Sequence, residues 1–224
     1  MVTGAASGLG AAIARALAAD GFRVAGLDLR PSKTDLSIEV DVTIADDLAD
    51  AVARVENELG EVDVLVTAAG VYEMLDVEEI TDERWERMIG VNIAGTANTC
   101  AAVVARMVKR GRGSVVTISS DLGYGGSRGD VHYAVSKGAI VGLTRSLALE
   151  VESSGVAVNT VAPGAADTPM LEADSPWRAD DFLSTIPVQR LVRSDEIAAA
   201  VLFLVHSGQG LVGQVLSPNS GATI

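Results

Sequence analysis

Two residues with complementary chemistry lie four positions apart near the middle of the chain. Tyr133 and Lys137 begin and end the segment Tyr-Ala-Val-Ser-Lys, which places them on one face of a predicted helix. A phenol with an ordinary pKa of about 10 is a poor acid–base catalyst at neutral pH. A neighbouring ammonium group favours the phenolate and lowers that pKa. The spacing therefore predicts a tyrosine that exchanges protons; a surface pair with chance spacing is the alternative.

A glycine-rich segment lies between a predicted first strand and a predicted first helix. The segment Thr3–Gly10 contains the candidate cofactor contacts Gly4, Ser7, Gly8, Leu9 and Gly10. Glycines in such a turn let the backbone approach a pyrophosphate held at a helix N-terminus. On its own, the pattern is a weak indication of dinucleotide binding.

An acidic residue supports this interpretation of the glycine-rich segment. Asp28 ends the next predicted strand, 18 residues beyond Gly10, close to the roughly 20 residues expected for an acid that binds a ribose 2′-hydroxyl. A carboxylate there repels a 2′-phosphate, and Ser7 offers no cation to attract one. The pattern therefore favours NAD over NADP, although Arg30 is near enough to weaken the repulsion.

Alternating strands and helices are expected to position these residues. Apolar runs with little polar alternation predict strands at Val2–Thr3, Arg23–Leu29, Ser37–Val42, Val62–Thr67, Ser114–Ser119, Val156–Ala162 and Val212–Ser217. Apolar spacing predicts helices over 9–17 and 48–59, near Asp82–Lys109, near Val131–Glu152, and from Ser194 as a cap to Val205. The order predicts an α/β fold: a single-domain, Rossmann-like, doubly wound parallel sheet of about seven strands with helices on both faces, spanning 1–224.

Composition excludes several classes of protein. The 224 residues include 30 Asp and Glu against 17 Lys and Arg, so a net charge of −13 argues against a broad basic surface for nucleic acid. One Cys and two His cannot form a Cys/His zinc site, and one Cys cannot form an internal disulfide. A zinc-dependent alcohol dehydrogenase is therefore excluded, and we predict no metal site.

Targeting features are also absent from the sequence. The N-terminus does not resemble a signal peptide, and the longest apolar run, Ile197–Val205, is far short of the roughly 20 residues that span a bilayer. We expect a cytoplasmic protein that does not bind membranes. The first strand, Val2–Thr3, is unusually short, so we expect either a true start upstream of Met1 or a trimmed chain.

The ordered motifs resemble the short-chain dehydrogenase/reductase family over Val2–Ile224. The resemblance assigns the catalytic tetrad to Asn92, Ser120, Tyr133 and Lys137. It assigns cofactor contacts to the glycine-rich segment, Asp28, Tyr133 and Lys137, and to Asp41, Val42, Ala69, Gly70, Pro163, Gly164, Ala166 and Thr168.

The resemblance implies reversible hydride transfer between a secondary alcohol and a nicotinamide ring. It implies that Tyr133 is the base in alcohol oxidation and the acid in ketone reduction. Lys137 is implied to lower the pKa of Tyr133 and hold the nicotinamide ribose. Ser120 is implied to hydrogen-bond the substrate oxygen, and Asn92 to anchor a water that links Lys137 to solvent.

Some residues depart from the family pattern or invite other roles. Ala68 replaces an asparagine that usually braces the sheet, and the Asp28–Asp41 interval is too short for the usual helix. His132, next to Tyr133, is expected at the pocket rim or on the surface, and Cys100 in the core. The segment 165–190 is implied to close over the substrate, with its aromatic residues Trp177 and Phe182 as pocket-lining candidates.

Substrate class is the least constrained prediction. The leading hypothesis is an NAD-dependent dehydrogenase of a small or cyclic secondary alcohol, because Ser120-Asp121 and 163–170 resemble relatives that oxidise cyclic hydroxyacids, hydroxyacyl-CoA esters or dihydrodiols. The alternative is an NADPH-dependent 3-oxoacyl-thioester reductase acting on acyl carrier protein or CoA esters; Asp28 and Leu149 count against it. A third hypothesis is a non-catalytic NAD(H)-binding regulator. Relatives usually form tetramers or dimers through the two long helices, so we expect a homo-oligomer.

Overall fold

Seven short strands form a parallel sheet in the computed structural model, which describes residues 1–223. The strands are β1 Val2–Thr3, β2 Ala25–Asp28, β3 Leu36–Glu39, β4 Val64–Thr67, β5 Gly113–Ile118, β6 Val156–Val161 and β7 Val215–Leu216. Their order across the sheet is β3-β2-β1-β4-β5-β6-β7, and every neighbouring pair is parallel. The predicted Rossmann-like sheet is confirmed; β1 and β5 have the predicted lengths, and the other five strands are shorter than predicted. Ile224, the last residue of the predicted domain, lies outside the described residues.

Helices connect all consecutive strands except β2 and β3, and they cover both faces of the sheet. They are α1 Gly8–Ala19, α2 Ala45–Leu59, α3 Asp82–Ile89, α4 Gly95–Arg110, α5 Leu122–Gly125, α6 Val131–Val151, α7 Asp180–Thr185 and α8 Ser194–Ser207. Single 3₁₀ turns occur at Val77–Glu79, Glu152–Ser154, Pro176–Arg178 and Gly208–Gly210.

Two apolar layers hold the helices to the sheet. On one face, α1 and α8 pack together and bury Ile13, Leu17, Ile197 and Leu204. On the other face, α2, α4 and α6 bury Leu48, Val52, Val103, Met107 and Ala148. Complete burial of each large aliphatic side chain contributes about 1.5–3 kcal/mol. Every residue of β5 and β6 is buried, as expected for central strands covered on both sides.

The helix predicted near Asp82–Lys109 has a wide turn in its middle. Residues Gly90–Ala94 form a π turn between α3 and α4, and Asn92 lies within it. Such turns are frequent at functional sites because they redirect side chains. The stretch Asp82–Arg110 is long and apolar enough to cross a bilayer by length and composition alone. A buried core helix passes the same test, and α4 packs against β4 and β5.

The cap of α8 is not where the sequence predicts it. Ser194 is the first residue inside the helix, and Arg193 is the cap. Glu196 Oε2 accepts a hydrogen bond from the Arg193 amide at 2.9 Å. The Ser194 hydroxyl instead donates to the Asp167 carbonyl at 3.3 Å. The Glu196 carboxylate therefore accepts the hydrogen bond of the backbone amide at the start of α8. The Ser194 hydroxyl binds the neighbouring loop instead.

Candidate active site

A cavity of about 790 Å³ lies at the carboxyl ends of the strands. In doubly wound sheets this is the edge where ligands bind. All the predicted cofactor contacts line it: Gly4, Ser7, Gly8, Leu9, Gly10, Asp28, Asp41, Val42, Ala69, Gly70, Tyr133, Lys137, Pro163, Gly164, Ala166 and Thr168. Ser120 also lines it, whereas Asn92 is fully buried and is not among the lining residues.

The glycine-rich segment forms the tight turn that the sequence predicts. Gly4 has a φ of +69°, and a Cβ there would lie 2.7 Å from the Ala68 carbonyl oxygen. A Cβ on Gly10 would overlap the Gly4 carbonyl. Ser7 makes no side-chain hydrogen bond to cap α1, so the first-turn amides of α1 remain available to an anion. This geometry fits a pyrophosphate.

The carboxylate of Asp28 lies beside this turn and is held by backbone amides. Its Oδ2 accepts from the Ala6 amide at 3.0 Å and its Oδ1 from the Arg30 amide at 3.1 Å. The exposed Arg30 guanidinium donates to Ser7 Oγ at 3.1 Å, and its Nε lies 4.0 Å from Asp28. A carboxylate and a guanidinium, whose charges act in opposite directions on a phosphate, therefore lie side by side.

Thr3 holds the backbone at Ala68, the position where the family usually has an asparagine. Thr3 Oγ1 accepts hydrogen bonds from the Ala68 and Ala69 amides, both at 3.1 Å. Thr3 lies at the end of β1, directly beside β4 in the sheet. Its hydroxyl therefore ties the end of β1 to the backbone that follows β4.

The three predicted catalytic side chains in the cavity come from two elements. Ser120 follows β5, and its Oγ accepts from the Leu122 amide at 3.2 Å. Tyr133 and Lys137 lie one turn apart on α6, with Lys137 Nζ 5.6 Å from the Tyr133 ring centroid. Lys137 Nζ donates to the Ile118 carbonyl at 3.1 Å, which fixes the side chain at the cavity wall. The predicted helical spacing thus brings the phenol and the ammonium to one side of the cavity.

Comparisons with known proteins agree with this geometry. The short chain dehydrogenase family model matches residues 1–179 of the 224. The chain belongs to this family. Short-chain dehydrogenases are oxidoreductases that act on CH–OH or keto groups with a nicotinamide cofactor.

The chain spans almost the whole length of the curated relatives that it matches. The 3-oxoacyl-[acyl-carrier-protein] reductase FabG of Thermotoga maritima is 33% identical, covering 100% of this chain and 97% of the relative. The acetoacetyl-CoA reductase of Rhizobium meliloti is 37% identical, covering 99% and 96%. The cis-4-hydroxycyclohexanecarboxylate dehydrogenase of Sinomonas cyclohexanicum is 34% identical, covering 100% and 95%.

A solved structure shares the fold. The ligand-free aldohexose dehydrogenase of Thermoplasma acidophilum superposes with a TM-score of 0.91 at 30% identity, covering 99% of this chain and 92% of that one. The doubly wound sheet is therefore that of a short-chain dehydrogenase.

Burial dominates the electrostatics of the dehydrogenase tyrosine and lysine. Burial raises the pKa of Tyr133, while a hydrogen bond with Ser120 opposes the rise. Burial lowers the pKa of Lys137 to about 8. The nearby carboxyl groups of Asp121 and Asp130 also raise the pKa of Tyr133, and the lowering expected from Lys137 stays a prediction. Burial opposes the charged form of Tyr133 and of Lys137 because the surrounding protein solvates charge poorly, but a pKa of about 8 leaves Lys137 mostly protonated at neutral pH.

Asn92 is buried in the π turn behind Lys137. Its Oδ1 accepts from the Val71 amide at 2.8 Å, and its Nδ2 donates to the Val71 carbonyl and Ser136 Oγ, both at 3.0 Å. A Cβ on Gly70 would lie 3.2 Å from Asn92 Oδ1 and 3.7 Å from Lys137 Nζ. The side chain thus holds the Gly70–Val71 backbone close to Lys137.

Aromatic side chains form the other end of the cavity. Trp177 and Phe182 line it, with ring centroids 4.8 Å apart in an edge-on contact. Trp177 Nε1 donates to the Tyr72 hydroxyl at 2.7 Å. Burial raises the pKa of Tyr72, so its hydroxyl stays protonated. This end suits an apolar or cyclic group.

Several residues that line the cavity of this short-chain dehydrogenase are not among those predicted from the sequence. They are Tyr72, Arg87, Ser127, Ala222 and Thr223. Thr223 reaches the site from the C-terminal end, 102 positions beyond Asp121, to which its hydroxyl donates at 3.5 Å. Tyr72 lies two positions after Gly70, a predicted cofactor contact, and this proximity is the one indication in the sequence that Tyr72 lines the cavity.

His132 is not at the rim or surface, which corrects the sequence-based expectation. It is fully buried, and neither ring nitrogen has a hydrogen-bond partner within residues 1–223. The helical angle turns it away from Tyr133, but neighbouring segments cover that face. Burial lowers the pKa of His132. Cys100 is buried in α4 as predicted, and burial raises its pKa to about 12.

Proposed function

We propose that this short-chain dehydrogenase is NAD-dependent and oxidises a small or cyclic secondary alcohol reversibly. The observation that carries the proposal is that a single cavity holds both sets of residues. Asp28 lies beside the glycine-rich segment, and Ser120, Tyr133 and Lys137 line the same cavity. A nicotinamide bound there supplies the hydride acceptor in oxidation and the donor in reduction.

Tyr133 is the proposed acid and base. Its buried phenol stays protonated at neutral pH, so it can give its proton to a carbonyl oxygen during reduction. In oxidation it takes the alcohol proton, which requires positive charge close by. Lys137, 5.6 Å from the ring, is the protein's source of that charge. Ser120 holds the substrate oxygen through its hydroxyl.

Asn92 is proposed to position the Gly70–Val71 backbone next to Lys137. A water in contact with that backbone and with Lys137 Nζ connects the lysine to solvent and returns protons to the site. The hydrogen bonds of Asn92 to both polar groups of Val71 support this role.

NAD is the proposed cofactor because Asp28 accepts only two backbone hydrogen bonds and lines the cavity. Its remaining acceptor positions suit the two hydroxyls of an adenosine ribose. The remaining predicted contacts hold the rest of the dinucleotide: Asp41 and Val42 the adenine, and Thr168 the nicotinamide amide.

A compact cyclic alcohol is the proposed substrate class, with the segment 165–190 closing over it. The aromatic end formed by Tyr72, Trp177 and Phe182 supports it. The relative that acts on cis-4-hydroxycyclohexanecarboxylate, at 34% identity, also supports it.

A 3-oxoacyl-thioester reductase is the second candidate, favoured by the relatives that act on acyl-carrier-protein and CoA esters. Asp28 opposes NADPH, and the net charge of −13 opposes an acidic carrier protein. A non-catalytic regulator is disfavoured because Ser120, Tyr133 and Lys137 are all present in the cavity.

We also propose a cytoplasmic homo-oligomer, a dimer or tetramer. Val108 on α4 and Val135 and Leu149 on α6 are exposed apolar residues. They lie on the two long helices through which the sequence predicts association, and pairing of copies would cover them.

The deciding experiment follows near-ultraviolet absorbance of the reduced cofactor with both NAD and NADP. Cyclic alcohols, dihydrodiols and 3-hydroxyacyl thioesters are compared in oxidation, and their ketones in reduction. We expect NADH formation with a cyclic alcohol or diol. A strong NADPH preference with 3-oxoacyl thioesters would establish the second candidate instead. Tight NADH binding with no turnover of any compound would favour the regulator.

A further inference from the structure

A carboxylate that the proposed mechanism does not use lies beside its reacting groups. Asp121 directly follows Ser120, is only 3% exposed, and lines the cavity. Ser120 Oγ donates to Asp121 Oδ1 at 3.2 Å, and Thr223 Oγ1 donates to Oδ2 at 3.5 Å. Neither partner is a cation, and within residues 1–223 no Lys, Arg or His forms an ion pair with Asp121.

Such a group is costly to keep in a protein interior. Burial raises the pKa of Asp121 to about 6, although hydrogen bonds from nearby hydroxyls and amides oppose the rise. A carboxylate has about four acceptor positions, and its two hydroxyl contacts occupy one on each oxygen. Groups in a cleft whose pKa values are shifted by burial are candidates for functional sites. Asp121 therefore suits a hydrogen-bond donor that enters from the cavity.

We propose that Asp121, together with Thr223, binds a second hydroxyl group on the carbon next to the reacting one, so that vicinal diols are preferred substrates. This rests on the proposed function, because Ser120 and Tyr133 must hold the reacting oxygen. The Ser120 Oγ to Asp121 Oδ1 distance of 3.2 Å matches the two oxygens of a gauche vicinal diol, which lie at hydrogen-bonding distance from each other. One diol oxygen contacts Ser120, and the hydroxyl on the other carbon donates a hydrogen bond to Asp121.

The same carboxylate discriminates against the other substrate classes. A mono-alcohol leaves Asp121 without its donor, and a buried acceptor left unpaired loses binding energy. A 3-hydroxyacyl thioester places a carbonyl near the site, and its oxygen cannot hydrogen-bond to the Asp121 carboxylate because both groups are acceptors. A carboxylate on the neighbouring carbon of a hydroxyacid adds repulsion between like charges. Of the classes compared, the vicinal diol alone supplies a neutral hydrogen-bond donor at this position.

The test compares three cyclic alcohols that differ in one hydroxyl. Oxidation of cyclohexane-1,2-diol is compared with that of cyclohexanol and of cyclohexane-1,4-diol, whose second hydroxyl is too distant to reach Asp121. The variants are Asp121→Leu, which removes both acceptors, Asp121→Asn, which keeps the shape, and Thr223→Val. Asp50→Asn, an exposed carboxylate on α2, is the control. Thermal unfolding verifies that each variant is folded.

We expect wild-type kcat/KM for the vicinal diol to exceed that for both other alcohols. In Asp121→Leu this preference should fall by ~10- to 100-fold, the range for a hydrogen bond to a charged group, and by less in Asp121→Asn and Thr223→Val. The Asp50→Asn control should keep the wild-type preference. Equal wild-type turnover of all three alcohols, or a preference unchanged in every Asp121 variant, overturns this inference and leaves the proposed function standing. Failure to oxidise any secondary alcohol overturns both.

Discussion

The indole nitrogen of Trp177 donates a hydrogen bond to the hydroxyl of Tyr72 at 2.7 Å. Trp177 belongs to the segment 165–190, whereas Tyr72 follows β4, so this bond ties the segment to the body of the protein. Tyr72 also packs edge-on against Tyr133, with 4.8 Å between the ring centroids. The position of the segment is therefore coupled to the ring that is proposed to carry the catalytic proton.

Loss of the Tyr72 hydroxyl should weaken closure over the substrate. Tyr72→Phe keeps the ring and its edge contact with Tyr133 but removes the acceptor for Trp177. A neutral hydrogen bond contributes about 0.5–1.5 kcal/mol, so we expect KM to rise roughly 2- to 10-fold with a small change in kcat. Steady-state kinetics measure this. Tyr124→Phe, which removes an exposed phenol bonded to Ser217 outside the cavity, is the control; an equal rise there would contradict the explanation.

Tyr133→Phe should abolish turnover and leave NADH binding nearly unchanged. The substitution removes only the oxygen that exchanges the proton, and the ring keeps its packing against Tyr72. Loss of general acid–base catalysis by one group typically costs at least 10²- to 10⁴-fold in rate. Turnover is followed by absorbance and binding by NADH fluorescence. Substantial remaining activity would exclude the proposed role of Tyr133.

Cofactor choice should depend on Asp28 and Arg30 together. In Asp28→Ser the repulsion of a 2′-phosphate is gone, while the Arg30 guanidinium next to Ser7 remains to attract it. We expect the NADP to NAD ratio of kcat/KM to rise ~10- to 100-fold, as a charge-assisted hydrogen bond allows.

The double variant Asp28→Ser/Arg30→Ala separates the two effects. Without the cation, most of the gain in NADP use should disappear, although the repulsive carboxylate is still absent. A double variant that retains the full gain would show that Arg30 takes no part in cofactor selection.

Regular helix and strand geometry explains which parts of the site could be predicted. Helical spacing alone brings Tyr133 and Lys137 to one side, and the strand ends bring Gly4, Asp28 and Ser120 to one edge of the sheet. These positions need only local periodicity and parallel order.

The unpredicted parts depend on contacts between distant segments. Thr3 braces Ala68 across neighbouring strands, and Thr223 reaches Asp121 from the far end of the chain. His132 could be placed on a helix face, but the segments that bury that face are remote in sequence. Local patterns carry no information about such packing.

The pH dependence of stability should identify Asp121 as a buried carboxyl. Its pKa rises from 3.8 to about 6 on folding, so the folded state binds this proton more tightly than the unfolded state. Its stabilising contribution is therefore complete below about pH 4 and is lost as pH rises through 6. Asp121→Asn removes this loss. We expect the variant to be more stable than wild type by about 2 kcal/mol at pH 7.5, or roughly 4–8 °C in Tm, with little difference near pH 4.

Thermal unfolding of both proteins across this pH range measures the difference. Asp50→Asn, which replaces an exposed carboxylate, should show no such pH-dependent gain over wild type. A gap between Asp121→Asn and wild type that is the same at pH 4 and pH 7.5 would mean that the amide changes packing and not ionisation. The increase in this gap from pH 4 to pH 7.5 measures the stability that the wild type loses by keeping a carboxylate where we propose that a substrate hydroxyl binds.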